Sequence, residues 1–397
     1  MKISSFSMSS LFYLVIGFVL NLFIFSYSIE GFYLTIDITV FSFALLVALL
    51  TLFYLSRLDR QTIIITSVDV SFLALITYLM AHHIFVSDPV DLPKVVLRSL
   101  TAYVIGRMIS EKMLTGGIIV TMPIYVLAIL NGLTSMFVRL NTFYQNPNAD
   151  LNRIGAGEAV GILVVYLFCT LTSPKNRYLK VVAVLLAFVL MFLFATVLSG
   201  RGAVLFSSIS YPLALLLTRR KNSVKSIVKP MLVILALVIL FIFVIPGILS
   251  KYFPSIGRYS FQAMLSDPSV TGNSQFVGRF DLYRESLEII SRHFFFGAGS
   301  LAVYSHNLFL ETFASYGFLG LLLLVLFLVE LLRQLLKLKR SFPVLFVVSA
   351  FIFTFLYRMT SFGWTNHKTM FLFAGLVVSM ASSSTRSKHG TELKVSS

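Results

Sequence analysis

Side chains that can do chemistry gather in one stretch of the sequence, residues 279–320, within a chain that is otherwise mostly hydrocarbon. Arg279 and Arg284 come first, and His306 follows with Asn307 and Glu311. Arginine suits phosphate because its planar fork forms paired, charge-assisted hydrogen bonds. Histidine is the side chain best placed to act as a base near neutral pH. The stretch therefore predicts an anion site, suited to a diphosphate, beside a general base. Arg258 is a weaker candidate for the same anion site.

Residues 279–292 carry the pattern of an amphipathic helix. The apolar face consists of Phe280, Tyr283, Leu287 and Ile290. Arg284 and Glu288 lie four residues apart on the other side, where they can pair with each other. The pattern predicts a short helix that begins at Arg279 and lies on the outer membrane surface. Tyr283 is a further candidate for substrate binding. For Arg284, substrate binding and a simple surface ion pair are both open.

His306 stands where the chain returns to an apolar run. Ser305 before it is a candidate N-cap, which predicts His306 in the first turn of a helix. The positive end of the helix dipole disfavours the charged imidazole there and keeps it available as a base. Asn307 and Glu311 share one helical face. A purely interfacial histidine is the alternative, and Glu311 is the rival base.

Arg201 lies in the sequence Ser-Gly-Arg-Gly at residues 199–202, between two apolar runs. The spacing predicts a tight outer turn with the arginine pointing into whatever the bundle encloses. The glycines favour a functional role because they let a backbone and a ligand approach closely. The alternative is an interfacial arginine that snorkels to water.

The remaining polar residues are individually ambiguous. Asp69 is expected to be deep and to need a partner, and Glu158 and Arg153 lie near the same outer rim, where they could pair. Cys169 is expected to be a small buried hydrophobe. No His, Asp and Glu cluster has ligand spacing, so neither a metal nor another cofactor is expected.

The elements that must position these residues are membrane helices. Hydrophobic residues make up 57% of the 397 residues and charged residues 12%, against roughly a quarter charged in a soluble domain. The sequence therefore predicts an all-α polytopic membrane protein with about twelve spans. The apolar runs lie near residues 9–26, 38–55, 63–82, 95–109, 118–137, 155–171, 179–198, 203–217, 231–249, 307–332, 343–357 and 369–381.

The charge distribution predicts the orientation of these spans. With the N-terminus inside, almost the whole net charge of +16 collects in the cytoplasmic segments, as the positive-inside rule requires. Orientation explains this charge better than nucleic-acid binding does. Both termini are then cytoplasmic, and one large periplasmic loop spans 250–305. Residues 1–381 form one transmembrane domain, and 382–397 form a polar cytoplasmic tail expected to be disordered.

Taken together, these motifs resemble the O-antigen ligase and polysaccharide polymerase superfamily of bacterial inner membranes. The resemblance covers residues 179–332. It rests on the turn at Ser199 and Arg201, on Gly278 and Arg279 before an amphipathic helix, on the Gly-x-Gly at Gly297 and Gly299, and on His306, Asn307 and Glu311 leading to Gly317 and Gly320. The two glycines in this last run are expected to let another helix pack closely.

The resemblance implies metal-independent, inverting transfer of glycan from an undecaprenyl-pyrophosphate carrier at the periplasmic face. Arg201 and Arg279 would hold the leaving diphosphate, and His306 would activate or orient the acceptor hydroxyl. The expected partners are lipid-linked glycans and membrane lipids, with a chain-length regulator as a further candidate and no nucleic acid. A polymerase joining lipid-linked repeat units is favoured over a ligase acting on lipid A–core. A polysaccharide flippase or other transporter is the alternative from another class.

Overall fold

A computed structural model describes the backbone of residues 13, 15–20, 22–23, 38–55, 65–86, 96–109, 148–170, 177–196, 201–218, 274–299, 305–360 and 367–395. Within these ranges the regular structure is helical, as the sequence predicts. The main helices are α1 (Ile38–Leu55), α2 (Ser67–Phe85), α3 (Arg98–Met108), α4 (Asn148–Thr170), α5 (Arg177–Thr196), α6 (Arg201–Leu217), α7 (Ser274–Arg292), α8 (Leu308–Leu335), α9 (Phe342–Arg358) and α10 (Lys368–Val395).

Local sequence explains where several of these helices begin. Thr66 caps α2 in a reciprocal capping box with Asp69, which satisfies two backbone amides that have no partner within the helix. Ser341 caps α9, and a proline follows in the first turn, where its missing N–H costs nothing. Asp69 also finds the partner that the sequence left unnamed, because Arg107 of α3 donates to it at 2.8 and 3.1 Å.

Helices α9 and α10 form the centre of the bundle. Almost every residue of 344–354 and of 367–381 is buried. Helix α9 packs against α4, α6 and α10, whereas α10 packs against α3, α8 and α9. Helices α2 and α7 both pack against α8. The central pair therefore links the helix that begins at Arg201 to the helix that follows His306.

Glycines allow several helices of this bundle to cross at close range. A Cβ added to Gly106 of α3 would lie 2.2 Å from the Leu372 carbonyl oxygen of α10, and one added to Gly375 would lie 2.3 Å from the Tyr103 carbonyl oxygen. Gly161 of α4 leaves the space that the Phe353 ring of α9 occupies. Small residues at helix contacts are typical of membrane bundles, where packing drives association.

Two of the described helices, α2 and α8, are long and apolar enough to cross a membrane. Both expose large apolar side chains, such as Leu73 and Ile84 on α2 and Leu326 on α8. The predicted spans 118–137 and 231–249 lie outside the described residues, and only part of the span 9–26 lies within them. The count of twelve spans stays a prediction.

Two sequence-based expectations about helix ends are wrong. The helix of the large loop begins at Ser274 and not at Arg279, so Arg279 lies within it. The tail predicted to be disordered instead continues α10 to Val395. Once a helix is nucleated by an apolar run, each further residue adds a hydrogen bond, and the sequence 382–395 contains no proline to stop it.

Candidate active site

The turn at residues 305–307 leads into α8, and it differs from the expected geometry. Asn307 is the N-cap, because its Oδ1 accepts hydrogen bonds from the amides of Phe309 and Leu310 at 3.1 and 3.2 Å. Ser305 is therefore not the cap; its hydroxyl donates to the Asn307 carbonyl oxygen at 3.2 Å. His306 precedes the cap and is not in the first helical turn. Asparagine is a favoured N-cap residue, and here the Asn307 side-chain oxygen accepts from two backbone amides at once.

His306 has a backbone φ of +54°, in the left-handed region that few residues with a side chain adopt. Its side chain is half-buried, and Glu311, one turn into α8, is 1% exposed. Asn307 uses its side-chain oxygen for the cap, and its predicted contact with the substrate stays a prediction. His306 therefore lies in the turn just before α8, and Glu311 lies buried in the first turn of α8.

Helix α8 is broken at Gly317, which has φ +68°. In an unbroken helix, the amides of residues 318 and 319 would donate to the carbonyls of residues 314 and 315. Here the inserted segment, residues 293–299, takes their place. The amides of Ala298 and Gly299 donate to the carbonyls of residues 314 and 315, and the amides of residues 318 and 319 donate to the carbonyls of residues 294 and 295, at 2.8 to 3.4 Å.

The inserted segment therefore satisfies four backbone groups that the break exposes, which matters because unpaired groups at membrane depth are costly. A Cβ on Gly297, where φ is +76°, would lie 2.4 Å from the Ser315 carbonyl, and one on Gly317 would lie 2.3 Å from the Phe295 oxygen. The expectation that a helix packs at these glycines holds at Gly320, which approaches Tyr78 of α2. At Gly317 the close neighbour is the inserted segment.

Helix α6 begins at Arg201, so Arg201 and Gly202 are helical, and the first half of the turn predicted at 199–202 is not tested. The next residue, Gly202, lies against the end of α9: a Cβ there would be 3.6 Å from both the Tyr357 ring and the Thr360 hydroxyl. The side chain of Arg201 and residues 199–200 lie outside the described part of the chain. The backbone nevertheless places the start of α6 beside Tyr357.

The start of α8 lies at the same end of the bundle. The Phe309 ring is 6.1 Å from the Phe355 ring, centroid to centroid, and Phe355 belongs to the last turn of α9. The end of α9 is therefore a common neighbour of the helix that Arg201 begins and of the helix that follows His306. The structure brings these two predicted elements together across a gap of about a hundred residues in sequence.

Arg358, Glu158 and Thr369 form a buried polar cluster at this end, which the sequence did not predict. Arg358 donates to Glu158 of α4 at 2.5 Å and to the Thr369 hydroxyl at 2.7 Å. Both charged side chains are almost completely buried. Glu158 thus pairs with Arg358, whereas the side chain of Arg153, the partner that the sequence suggested, lies outside the described part of the structure. Burial, and then the charge of Arg358, hold the pKa of His367 well below its usual range, so this ring stays neutral beside the arginine.

The other predicted site residues are less tightly placed. Arg279 lies within α7, and its side chain is outside the described part of the structure, as is the whole of Arg258. Arg284 is 82% exposed and pairs with Glu288 at 3.4 Å, as the periodicity predicted. Tyr283 is half-buried. Helix α7 buries Ser286 and Ile290, whereas Leu287, predicted to share the apolar face, is 57% exposed.

Among the residues that the structure describes, no group of three or more His, Cys, Asp or Glu side chains could hold a metal ion. Arg358 pairs with Glu158, and Arg201 and Arg279 stay the predicted ligands of a phosphate group.

Comparison with known families identifies one part of the chain. Residues 186–325 match a family model described as O-antigen ligase. The match confirms the resemblance to the O-antigen ligase and polymerase superfamily for this segment, which runs from α5 through the inserted segment and the Gly317 break. For this segment the match supports an O-antigen ligase or polymerase type of function in broad terms. A comparison with curated proteins found no match.

Proposed function

We propose that this protein is an inner-membrane glycosyltransferase that joins undecaprenyl-pyrophosphate-linked repeat units into a polysaccharide at the periplasmic face. The observation that carries the proposal is the shared position of Arg201 and His306. Both stand at the start of helices that contact the last turn of α9, through Gly202 and Phe309. An anion-binding residue and a base at one end of the bundle meet the two needs of transfer from a diphosphate carrier.

In the proposed reaction, an acceptor hydroxyl attacks the anomeric carbon of the donor sugar. The bond from that carbon to the diphosphate oxygen breaks, and undecaprenyl diphosphate leaves. His306 takes the hydroxyl proton, and Arg201 and Arg279 stabilise the negative charge that builds on the leaving group. Attack opposite the leaving group inverts the anomeric centre, so base and arginines must lie on opposite sides of the sugar.

Supporting residues have narrower roles in this scheme. Asn307 caps α8 and Glu311 is buried one turn later; in this scheme both would bind the substrate or support His306. Tyr283 and Arg284 would contact the glycan from α7, and Arg258 would extend the anion site. The pair of Arg284 and Glu288 is highly exposed and therefore weak, so a substrate phosphate could replace the glutamate.

Glycan transfer to lipid A–core is the second candidate function, and it is favoured by one observation: the matched family model is described as O-antigen ligase. Both reactions need the same donor and the same chemistry. They differ in the acceptor, which is a second lipid-linked unit for a polymerase and a finished core for a ligase.

The glycans that accumulate on the carrier lipid in a deletion strain separate these functions. A polymerase leaves single repeat units on undecaprenyl pyrophosphate, and the wild-type gene restores long chains while a His306→Ala gene at equal protein level does not. Long polymer left on the carrier would indicate a ligase. Repeat units trapped on the cytoplasmic side would indicate a flippase and contradict both transferase assignments.

A further inference from the structure

Two side chains of α2 reach the backbone carbonyls beside the Gly317 break. The Tyr78 hydroxyl donates to the Tyr316 carbonyl oxygen at 2.6 Å, and His82 Nε2 lies 2.5 Å from the Phe296 carbonyl oxygen. A carbonyl oxygen only accepts hydrogen bonds, so Nε2 carries the proton. The Tyr316 carbonyl would be bonded to the amide of residue 320 in an unbroken helix. Tyr78 thus serves a carbonyl at the break itself.

These two bonds reach the two chain segments that exchange backbone hydrogen bonds at the break. We call this exchange, between residues 293–299 and residues 314–319, the interlock. Tyr78 holds the half-helix, residues 308–316, whereas His82 holds the inserted segment through Phe296. The two residues lie four apart and therefore on one face of α2. The His82 ring also packs edge-on against the Tyr316 ring at 5.1 Å, and the His83 Nε2 lies 3.2 Å from the Tyr316 hydroxyl. His82 is 3% exposed.

We propose that Tyr78 and His82 are positioning residues that fix the half-helix, and with it His306 and Glu311, for glycan transfer. The proposal rests on the proposed function of this end of the bundle. A helix of this length is unstable alone, and Gly317 separates it from the rest of α8. Its orientation is therefore set by its contacts. Tyr78 bonds directly to the half-helix, and His82 bonds to the inserted segment, which in turn pairs with the half-helix through residues 298 and 299.

Conservative variants separate positioning from general packing. Glutamine can place an amide N–H near the position of His82 Nε2, whereas leucine fills the space without a donor. Tyr78→Phe keeps the ring and removes only the hydroxyl, so it tests the hydrogen bond while the packing of the ring is kept. Met80→Leu is the matched control, because Met80 lies on the same helix and is 40% exposed.

The test combines two measurements on the full-length protein in lipid nanodiscs. Hydrogen exchange, measured without substrate, follows the amides of residues 298, 299, 318 and 319, which the interlock protects. Steady-state turnover of a lipid-linked repeat unit gives kcat and KM separately. We expect His82→Leu and Tyr78→Phe to raise exchange of these amides on the order of tenfold. We expect kcat to fall about tenfold to a hundredfold, with KM for the donor largely unchanged.

His82→Gln should restore most of both properties, and Met80→Leu should match the wild type. Unchanged exchange in His82→Leu and Tyr78→Phe would overturn the proposal, as would faster exchange with unchanged kcat or a His82→Gln protein as impaired as His82→Leu. Absence of glycan transfer by the wild-type protein would count against the proposed function instead. The two failures are distinguishable because the exchange measurement needs no turnover.

Discussion

His306 combines a chemically useful side chain with an unusual backbone. Its φ of +54° is a conformation that costs about 1 kcal/mol or more for a residue with a side chain. Such conformations cluster at functional sites, where the surrounding structure enforces them. Here the Asn307 cap follows directly and fixes the turn. The position before the cap, and not the residue type alone, distinguishes His306 from the other histidines of the chain.

Replacing His306 by asparagine separates its backbone role from its chemistry. Asparagine tolerates positive φ but is not a base, so His306→Asn should keep the fold and lose about 10²–10⁴-fold in turnover. Turnover of purified protein with defined lipid-linked substrates, beside a thermal unfolding scan, provides the check. Glu311→Gln is the comparison. Near-normal turnover of His306→Asn, with turnover lost in Glu311→Gln, would assign the base to the glutamate.

Replacing Arg201 or Arg279 by lysine should impair glycan transfer even though the positive charge is kept. Lysine cannot form the paired hydrogen bonds of a guanidinium with a diphosphate, so Arg201→Lys and Arg279→Lys should each lose about a hundredfold in kcat. Lys337→Ala, an exposed charge change near the end of α8 remote from His306, serves as the control. Polymer length in cells at equal protein level is a suitable readout, and normal polymer in either lysine variant would remove that arginine from the site.

Residue pairs close in sequence could be predicted, and those far apart could not. The pairing of Arg284 with Glu288 follows from helical periodicity alone. Glu158 and Arg358 are 200 positions apart, and only the packing of α4 against α9 brings them together. The N-cap was misassigned to Ser305 because serine and asparagine have similar capping preferences, and geometry decided between them.

At the scale of elements, the break in α8 explains Gly297 and Gly317. The sequence predicted that Gly317 and Gly320 permit close packing, which holds, but it assigned a helix as the neighbour at both. The inserted segment could not be predicted because periodicity describes continuous helices, whereas this contact exchanges backbone hydrogen bonds between two chain segments. The start of α7 was missed for a related reason: residues 274–278 lack an apolar period of their own.

Alanine at Gly297 or Gly317 should disrupt the interlock. Each substitution combines positive φ with a Cβ less than 2.6 Å from the facing backbone, so we expect a loss of about 2 kcal/mol or more in stability. Gly202→Ala is the control, because its Cβ would meet neighbours at 3.6 Å, an ordinary contact. The unfolding midpoint of detergent-solubilised protein reports the effect. Midpoints equal to that of Gly202→Ala would show that the interlock does not require these glycines.

At the scale of the whole molecule, helix directions place the candidate site residues of α6, α8 and α9 at one end of the described bundle. Arg201 and His306 lie at the starts of α6 and α8, and Arg358 lies at the end of α9. The contacts among these helix ends place all three at one end of the bundle. Helices α2 and α8 run in opposite directions, since Ser67 contacts Glu330 while Tyr78 contacts Tyr316. The charge pattern predicts that the end bearing His306 faces the periplasm.

Reporter fusions test that orientation. Fusions at Asn222 and Arg340 should report a cytoplasmic location, and fusions at Asn148 and Asn273 a periplasmic one, because basic residues are retained on the cytoplasmic side. Fusions at Lys2 provide a further cytoplasmic reference. A cytoplasmic reading at Asn273 would place α7 and His306 on the wrong side for a substrate displayed in the periplasm.

Glycan transfer by the purified protein tests the central claim most directly. The full chain in nanodiscs is supplied with undecaprenyl-pyrophosphate-linked repeat units, and products are resolved by length. The account predicts that the wild-type protein forms chains of increasing length on the carrier and releases undecaprenyl diphosphate, while a folded His306→Asn protein forms none. Failure of the folded wild-type protein to consume the units, with or without lipid A–core as acceptor, would contradict it.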